Sequence, residues 1–284
     1  MRITSVITTQ QITKAMKMVA AAKLRRSQER IIQMRPYAQK LSVILKNLSA
    51  ADNDGGPDWY SVVREEKKIL IVVVGGDRGL CGSFNSNVFK AALKLIQEKY
   101  SSQLSKGQVT ILPIGKKAFE FFGKRAMPLI GDFWNIFQAI SFNKMAEIGD
   151  YLTNAFTKGH FDKIEIVYNE FKNVATQVLR TEPFLPVVPL KDTKPSRVDY
   201  IYQPNREEII ASLIPKSLKT QLYKAVLDSD AAFNGAQMTA MDKATENAGE
   251  ILKELKLTYN RTRQAAITKE ILEIVAGAEA LKSA

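Results

Sequence analysis

The chain is poor in the residues that most catalytic chemistry requires. It holds one cysteine, Cys81, and one histidine, His160. A lone cysteine excludes an internal disulfide and suggests a reducing compartment. One histidine, between Gly159 and Phe161 and far from the cysteine, argues against a metal site or a Ser-His-Asp arrangement. The longest purely apolar run, Ile69 to Val74, is far short of the roughly 20 residues that span a bilayer. Acidic residues are missing from the first 28 positions, and Tyr37 is the only aromatic residue before Leu48. The acid-free start has the composition of a transit peptide, yet its periodicity continues past Arg30, so we read it as a mature helix.

What is present at the two ends is helical spacing. Leu24, Ser27, Ile31, Met34, Ala38, Leu41, Leu45 and Leu48 step by three and four residues. Met241, Ala244, Ala248, Ile251, Leu255 and Tyr259 do the same, as do Ile267, Ile271, Ile274, Ala278 and Leu281. This is the seam of supercoiled helices, which needs a partner, and each end can supply one to the other. The expected fold is α/β: a long antiparallel coiled coil of the N- and C-terminal helices plus a Rossmann-like α/β domain. The expected divisions are residues 1–50 for the first helix, 65–204 for the central domain and 205–284 for the last helix. Pro36 lies inside the first helix. Pro215 is expected to interrupt the last one, with Lys216 to Lys282 a single helix of roughly 100 Å.

Between the ends, residues 51–57 are dense in turn formers. Lys68 to Val74 then reads as a strand buried on both faces. A turn over Gly75 to Ser83 leads to a helix from Asn85 to Lys99. Strands are expected at Val109–Ile114 and Lys163–Tyr168, with helices at Lys116–Phe122 and Asn143–Phe156. Such alternation predicts a parallel, doubly wound sheet, with Ala175–Arg180 and Asp199–Tyr202 as antiparallel additions.

Charge is unevenly spread within a net +12. Residues 1–48 carry ten Lys or Arg against Glu29 alone, a balance of +9, while residues 205–284 balance to zero. A basic first helix calls for an acidic partner: a carboxylate-rich protein loop, nucleic acid or anionic lipid. A nucleic-acid binder wants stacking aromatics near its cations, and only Tyr37 is there. The Gly75–Gly82 turn sits where a phosphate loop sits, after a strand and before a helix. It lacks the Lys-Ser/Thr ending, and Gly76, Gly79 and Gly82 are evenly three apart, unlike the dinucleotide spacing. A tight strand-to-helix turn fits better, with Cys81 a small buried apolar residue. We expect no catalytic residues, cofactor or metal. The end of the last helix is slender, with Ala265-Ala266 and Ala276-Gly-Ala-Glu-Ala280, and Gln264, Thr268 and Glu270 place polar groups just before that tip.

Four segments resemble those of the γ subunit of the F-type ATP synthase, the central rotor stalk. They are Ile12-Thr-Lys-Ala-Met-Lys-Met-Val-Ala-Ala-Ala-Lys23, Asp77-Arg-Gly-Leu-Cys-Gly82, Ala240-Met-Asp-Lys-Ala-Thr-Glu-Asn-Ala248, and Tyr259 through Ala280. The likeness spans the chain in the family's order. It implies a rotor inside a hexamer of α and β subunits, with catalysis at β, and contacts of the lower part with ε and the ring of c subunits. One copy would serve each complex, with no nucleic acid involved and membrane association only through the complex.

The resemblance places Met16 near an acidic loop of β, makes Lys17 and Lys23 part of the basic face, and matches Gln237, Gln264, Thr268 and Glu270 to hexamer contacts. Asp77, Arg78, Gly79, Leu80, Cys81 and Gly82 form the central-domain motif. The implied location is peripheral, on the cytoplasmic face of a bacterial plasma membrane, with the matrix side of the mitochondrial inner membrane as the alternative. The chain departs from the family pattern in three ways. It starts about ten residues later than other members, it carries Gln237 where many have Arg, and it lacks the two-cysteine segment of the chloroplast type.

Overall fold

A computed structural model describes residues 2–50, 60, 62–174, 176–187 and 206–282. Contacts divide the chain into two compact units, Met1–Val19 with Met238–Ala284, and Ala20–Gln237. The elements in order are α1 (Arg2–Ala50), β1 (Ile69–Val74), α2 (Phe84–Lys99), α3 (Ser101–Ser105), β2 (Val109–Ile114), α4 (Lys116–Gly123), α5 (Phe142–Thr157), β3 (Lys163–Phe171), β4 (Gln177–Leu185) and α6 (Arg206–Lys282).

In the larger unit the sheet order is β2-β1-β3-β4. Strands β1, β2 and β3 are parallel, with Ile69 opposite both Val109 and Lys163. Strand β1 is central, so both its faces are covered, and its unbroken Ile-Leu-Ile-Val-Val-Val is buried at every position. Its side chains alternate between two cores. Ile69, Ile71 and Val73 meet Val88, Phe89, Ala92 and Ile96 of α2 and Ala118 and Phe122 of α4. Leu70, Val72 and Val74 meet Met145, Ile148, Leu152 and Phe156 of α5, and also Leu218, Leu222, Ala225 and Val226 of α6. The sheet therefore carries helices on both faces, the doubly wound arrangement expected.

Two elements differ from the sequence expectation. Strand β4 runs to Leu185, through Pro183, because it is antiparallel to β3 and outermost among the described strands, where a missing N–H is tolerated. Pro215 does not interrupt α6, which is continuous from Arg206. One proline removes a single hydrogen bond, and Ile214 beside it packs against the core. Asp199–Tyr202, the 51–57 turn and Asn205, the expected first residue of the last helix, fall outside the described residues, as do the side chains of Leu45, Leu48 and Leu281.

In the smaller unit the first turns of α1 run antiparallel to α6. Lys17 pairs with Asp242, the Thr13 and Thr245 hydroxyls lie 2.8 Å apart, and Gln10 donates to the Thr245 carbonyl at 3.5 Å. Residue numbers fall on one helix as they rise on the other. Met241 and Ala248 are buried in this seam.

The seam expectation fails further along. Ile251, Tyr259, Ile267, Ile271 and Ile274 are exposed, Ile274 by 71%. The antiparallel register explains this for Tyr259, Ile267, Ile271 and Ile274, whereas Ile251 is exposed within the paired stretch. The described part of α1 starts at Arg2, whose counterpart on α6 falls near residue 257, so the stretch beyond is not covered by any described segment.

Candidate functional site

The loop after β1 is stitched to its neighbours by its own polar groups. The Gly76 N–H donates to Asn85 Oδ1 at 2.8 Å, and Asn85 Nδ2 donates to the Arg78 carbonyl at 3.1 Å. The Lys116 N–H donates to Asp77 Oδ1 at 2.9 Å, so Asp77 caps the start of α4. The Lys117 N–H donates to the Gly76 carbonyl at 3.1 Å. Leu80 and Gly82 both sit at positive φ, near 60°, and Leu80 is nevertheless 64% exposed. Cys81 is buried with Phe84 and Ala232, and burial pushes its thiol pKa up, as suits a packing residue.

The glycine at 76 is needed for close approach, to a helix. A methyl there would lie 2.5 Å from the Phe233 ring of α6. Phe233 in turn stands edge-on to Phe84, with ring centroids 5.5 Å apart. The Gly76 amide, which would point at phosphate in a nucleotide loop, is taken by Asn85. This loop docks α6.

Beneath it, α1 and α6 of the same unit are clasped by buried polar groups. Ser27, 3% exposed, donates to Asp230 Oδ2 at 2.5 Å, and Asn234 Nδ2 reaches Asp230 Oδ1 at 3.3 Å. Burial raises the Asp230 pKa, opposed by these hydrogen bonds and by Arg30 and Lys23. Nearby, Asp228 is 3% exposed and its pKa is pushed up to about 6. Burial is the main cause, with Glu170 and Glu182 adding to it and Lys224 and Arg35 opposing it.

The loop, the clasp and residues 137–140 ahead of α5 enclose a crevice of about 600 Å³. Lys23, Arg26 and Arg30 of α1 line it because positions 23, 26, 27 and 30 share one helical face. Arg78 and Asp77 line it from the loop.

The expected site residues thus fall into separate places. Lys23, Asp77 and Arg78 converge on the crevice, Gln237 is half-buried in the same unit, and Gly79 and Gly82 lie in the loop. In the smaller unit Met16 is half-buried and Lys17 holds Asp242, while Gln264, Thr268 and Glu270 are exposed on α6. Sequence reasoning missed Asp230, Asn234 and Asp242. Their partners lie more than 200 positions away, and only Ser27, a polar residue inside an apolar seam, signalled the clasp.

Comparison with known proteins gives a consistent result over the whole length. A family model described as ATP synthase matches residues 1–281. The ATP synthase gamma chain of Cytophaga hutchinsonii is 56% identical over 99% of this chain and 97% of its own. That of Flavobacterium psychrophilum is 52% identical over 99% and 96%, and that of Chlorobium limicola 47% over 99% and 97%. Among solved structures, a chain of the Euglena gracilis mitochondrial ATP synthase OSCP/F1/c-ring structure aligns with a TM-score of 0.68 at 22% identity, covering 99% of this chain and 92% of that one. A chain of the Tetrahymena thermophila central stalk/c-ring structure aligns at 0.58 with 24% identity, covering 82% and 99%. These structures share the fold: long terminal helices around a central sheet.

Proposed function

We propose a mechanical role for this chain, which belongs to the ATP synthase γ-chain family: as the central-stalk subunit, it turns inside a hexamer of α and β subunits. The observation that carries this is the family match across residues 1–281, on a chain whose two ends are long helices paired antiparallel.

In this reading proton flow turns the ring of c subunits, and the stalk turns with it. The stalk presents a different face to each β subunit in turn. Such a rotor drives a binding change only if it favours the open and closed β conformations unequally. Catalysis belongs to β and its α neighbour, and this chain has no reactive centre of its own. One copy serves each complex, with ε and the c-ring as further partners.

The exposed apolar stretch of α6, with Ile267, Ile271 and Ile274, would be covered by the hexamer, where Gln264, Thr268 and Glu270 meet its polar groups. Met16, Lys17, Lys23 and Gln237 are the other contacts we assign to it. We keep residues 1–50 and 205–284 as the shaft and 65–204 as the part outside the hexamer. No helix among the described residues is long and apolar enough to cross a membrane. We place the chain peripherally, on the cytoplasmic face of a bacterial plasma membrane, held through the complex.

Co-expression with α and β subunits tests the reading. The chain should co-purify at one copy for three of each, and the complex should show rotation-coupled ATP hydrolysis. Purification of an α and β hexamer lacking this chain, with full ATPase activity, would overturn it.

A further inference from the structure

We propose that the crevice between the loop after β1, residues 137–140 and the helices α1 and α6 is a binding site for a small multivalent phosphate-type anion, of which pyrophosphate is the simplest probe. The inference rests on the larger unit alone and goes beyond the stalk function.

The charges that line the crevice are unbalanced in a specific way. Its two acids are only partly available: Asp77 Oδ1 accepts the Lys116 N–H, and Asp230 accepts from Ser27 and Asn234 while the charges of Arg30 and Lys23 act on it, so four cations stand against two acids. Its four cations, Lys23, Arg26, Arg30 and Arg78, have no carboxylate within ion-pair distance among the described residues. Solvated helix faces usually pair their charges, as Arg25 does with Glu29 one turn along. Here the cations converge from two separate chain segments on one concavity.

Size and place agree with a small ligand. About 600 Å³ lies within the range of small-molecule sites. The crevice opens outside the carboxyl end of the central strand, where open α/β sheets place their ligands. The amide cradle of a nucleotide loop is absent, because Asn85 holds the Gly76 N–H. Recognition therefore falls to side chains. Three guanidinium groups offer paired donors matched to phosphate oxygens, and one ammonium adds a point charge. A compact anion with two or more charges answers to all four at once, whereas a single carboxylate answers to one or two. This favours a phosphate-type ligand over a single carboxylate.

Titration calorimetry of the full chain with pyrophosphate at low ionic strength tests the proposal. The expected result is one saturable site, weakened at least about tenfold in an Arg30→Gln/Arg78→Gln variant. An Arg25→Gln/Lys90→Gln variant removes the same two charges elsewhere on the unit and should weaken binding less than about twofold. Far-UV circular dichroism of each variant should match the parent. A Lys23→Gln/Arg26→Gln pair should show the same tenfold loss, and replaces the first variant if that one misfolds. Absence of saturable binding overturns the proposal. So does equal weakening by both kinds of variant, which would reveal diffuse attraction to a basic surface.

Discussion

The Ser27 hydroxyl of α1 donates to Oδ2 of Asp230 on α6 at 2.5 Å, with Ser27 only 3% exposed. A serine in an apolar seam is thereby explained: it satisfies a carboxylate that α6 buries at the same level. Ser27→Ala leaves that carboxylate short of one donor, while Asn234 remains. The expected loss is about 1–3 kcal/mol, the cost of a buried unsatisfied group. Urea unfolding should show the midpoint fall with an unchanged slope. A shift below about 0.3 kcal/mol would mean that water replaces the serine without penalty.

Asp228 makes stability depend on pH. Its folded pKa of about 6 exceeds the ordinary 3.8, so the folded chain holds the proton more tightly than the unfolded one. Its contribution is full below about pH 4, declines as pH rises through about 6, and is flat above. The facing groups are Lys224 on α6, Arg35 on α1, Glu170 on β3 and Glu182 on β4. Asp228→Asn removes the ionisation, and should make the chain more stable than the parent at pH 8 by about 1–3 kcal/mol. The gain should shrink towards pH 4. Thermal unfolding at pH 5 and pH 8 checks this, and a gain that grows as pH falls contradicts the assignment.

Gly76 is the second point of close packing on α6. A methyl 2.5 Å from the Phe233 ring forces a shift in a buried setting, so Gly76→Ala should cost about 1–3 kcal/mol. If the ring is the obstacle, Phe233→Leu should recover part of that loss, and the two changes should be non-additive by at least about 0.5 kcal/mol. Additive losses would point to the backbone of the loop instead.

These sites also mark what the sequence could disclose. Strand β1 was legible because a strand covered on both faces loses its alternation and reads as one apolar run. The Gly75–Ser83 turn was legible as a turn, but Phe233, which explains Gly76, lies more than 150 positions away. The share of α6 in the sheet core was hidden for a different reason. Leu218, Leu222, Ala225 and Val226 have the same three-four spacing whether the helix covers a sheet or another helix. Spacing likewise marked Ile267, Ile271 and Ile274 as a seam without showing that no described part of this chain covers them.

Lys17 separates an internal role from an external one. Its pair with Asp242 is part-exposed, with side-chain exposures of 35% and 43%. A pair in that setting contributes about 0–1 kcal/mol and weakens with salt. Lys17→Gln and Asp242→Asn should therefore each shift the unfolding of the isolated chain by less than about 1 kcal/mol, and by similar amounts. If Lys17 also meets carboxylates of the hexamer, ATP hydrolysis by the assembled complex should fall further with Lys17→Gln than with Asp242→Asn. Asp242→Asn leaves the lysine charge in place, so it disturbs only the internal pair. Equal effects of the two changes on the complex would confine Lys17 to holding the helices together, and the partner contact would then rest with Met16 and the other cations of α1.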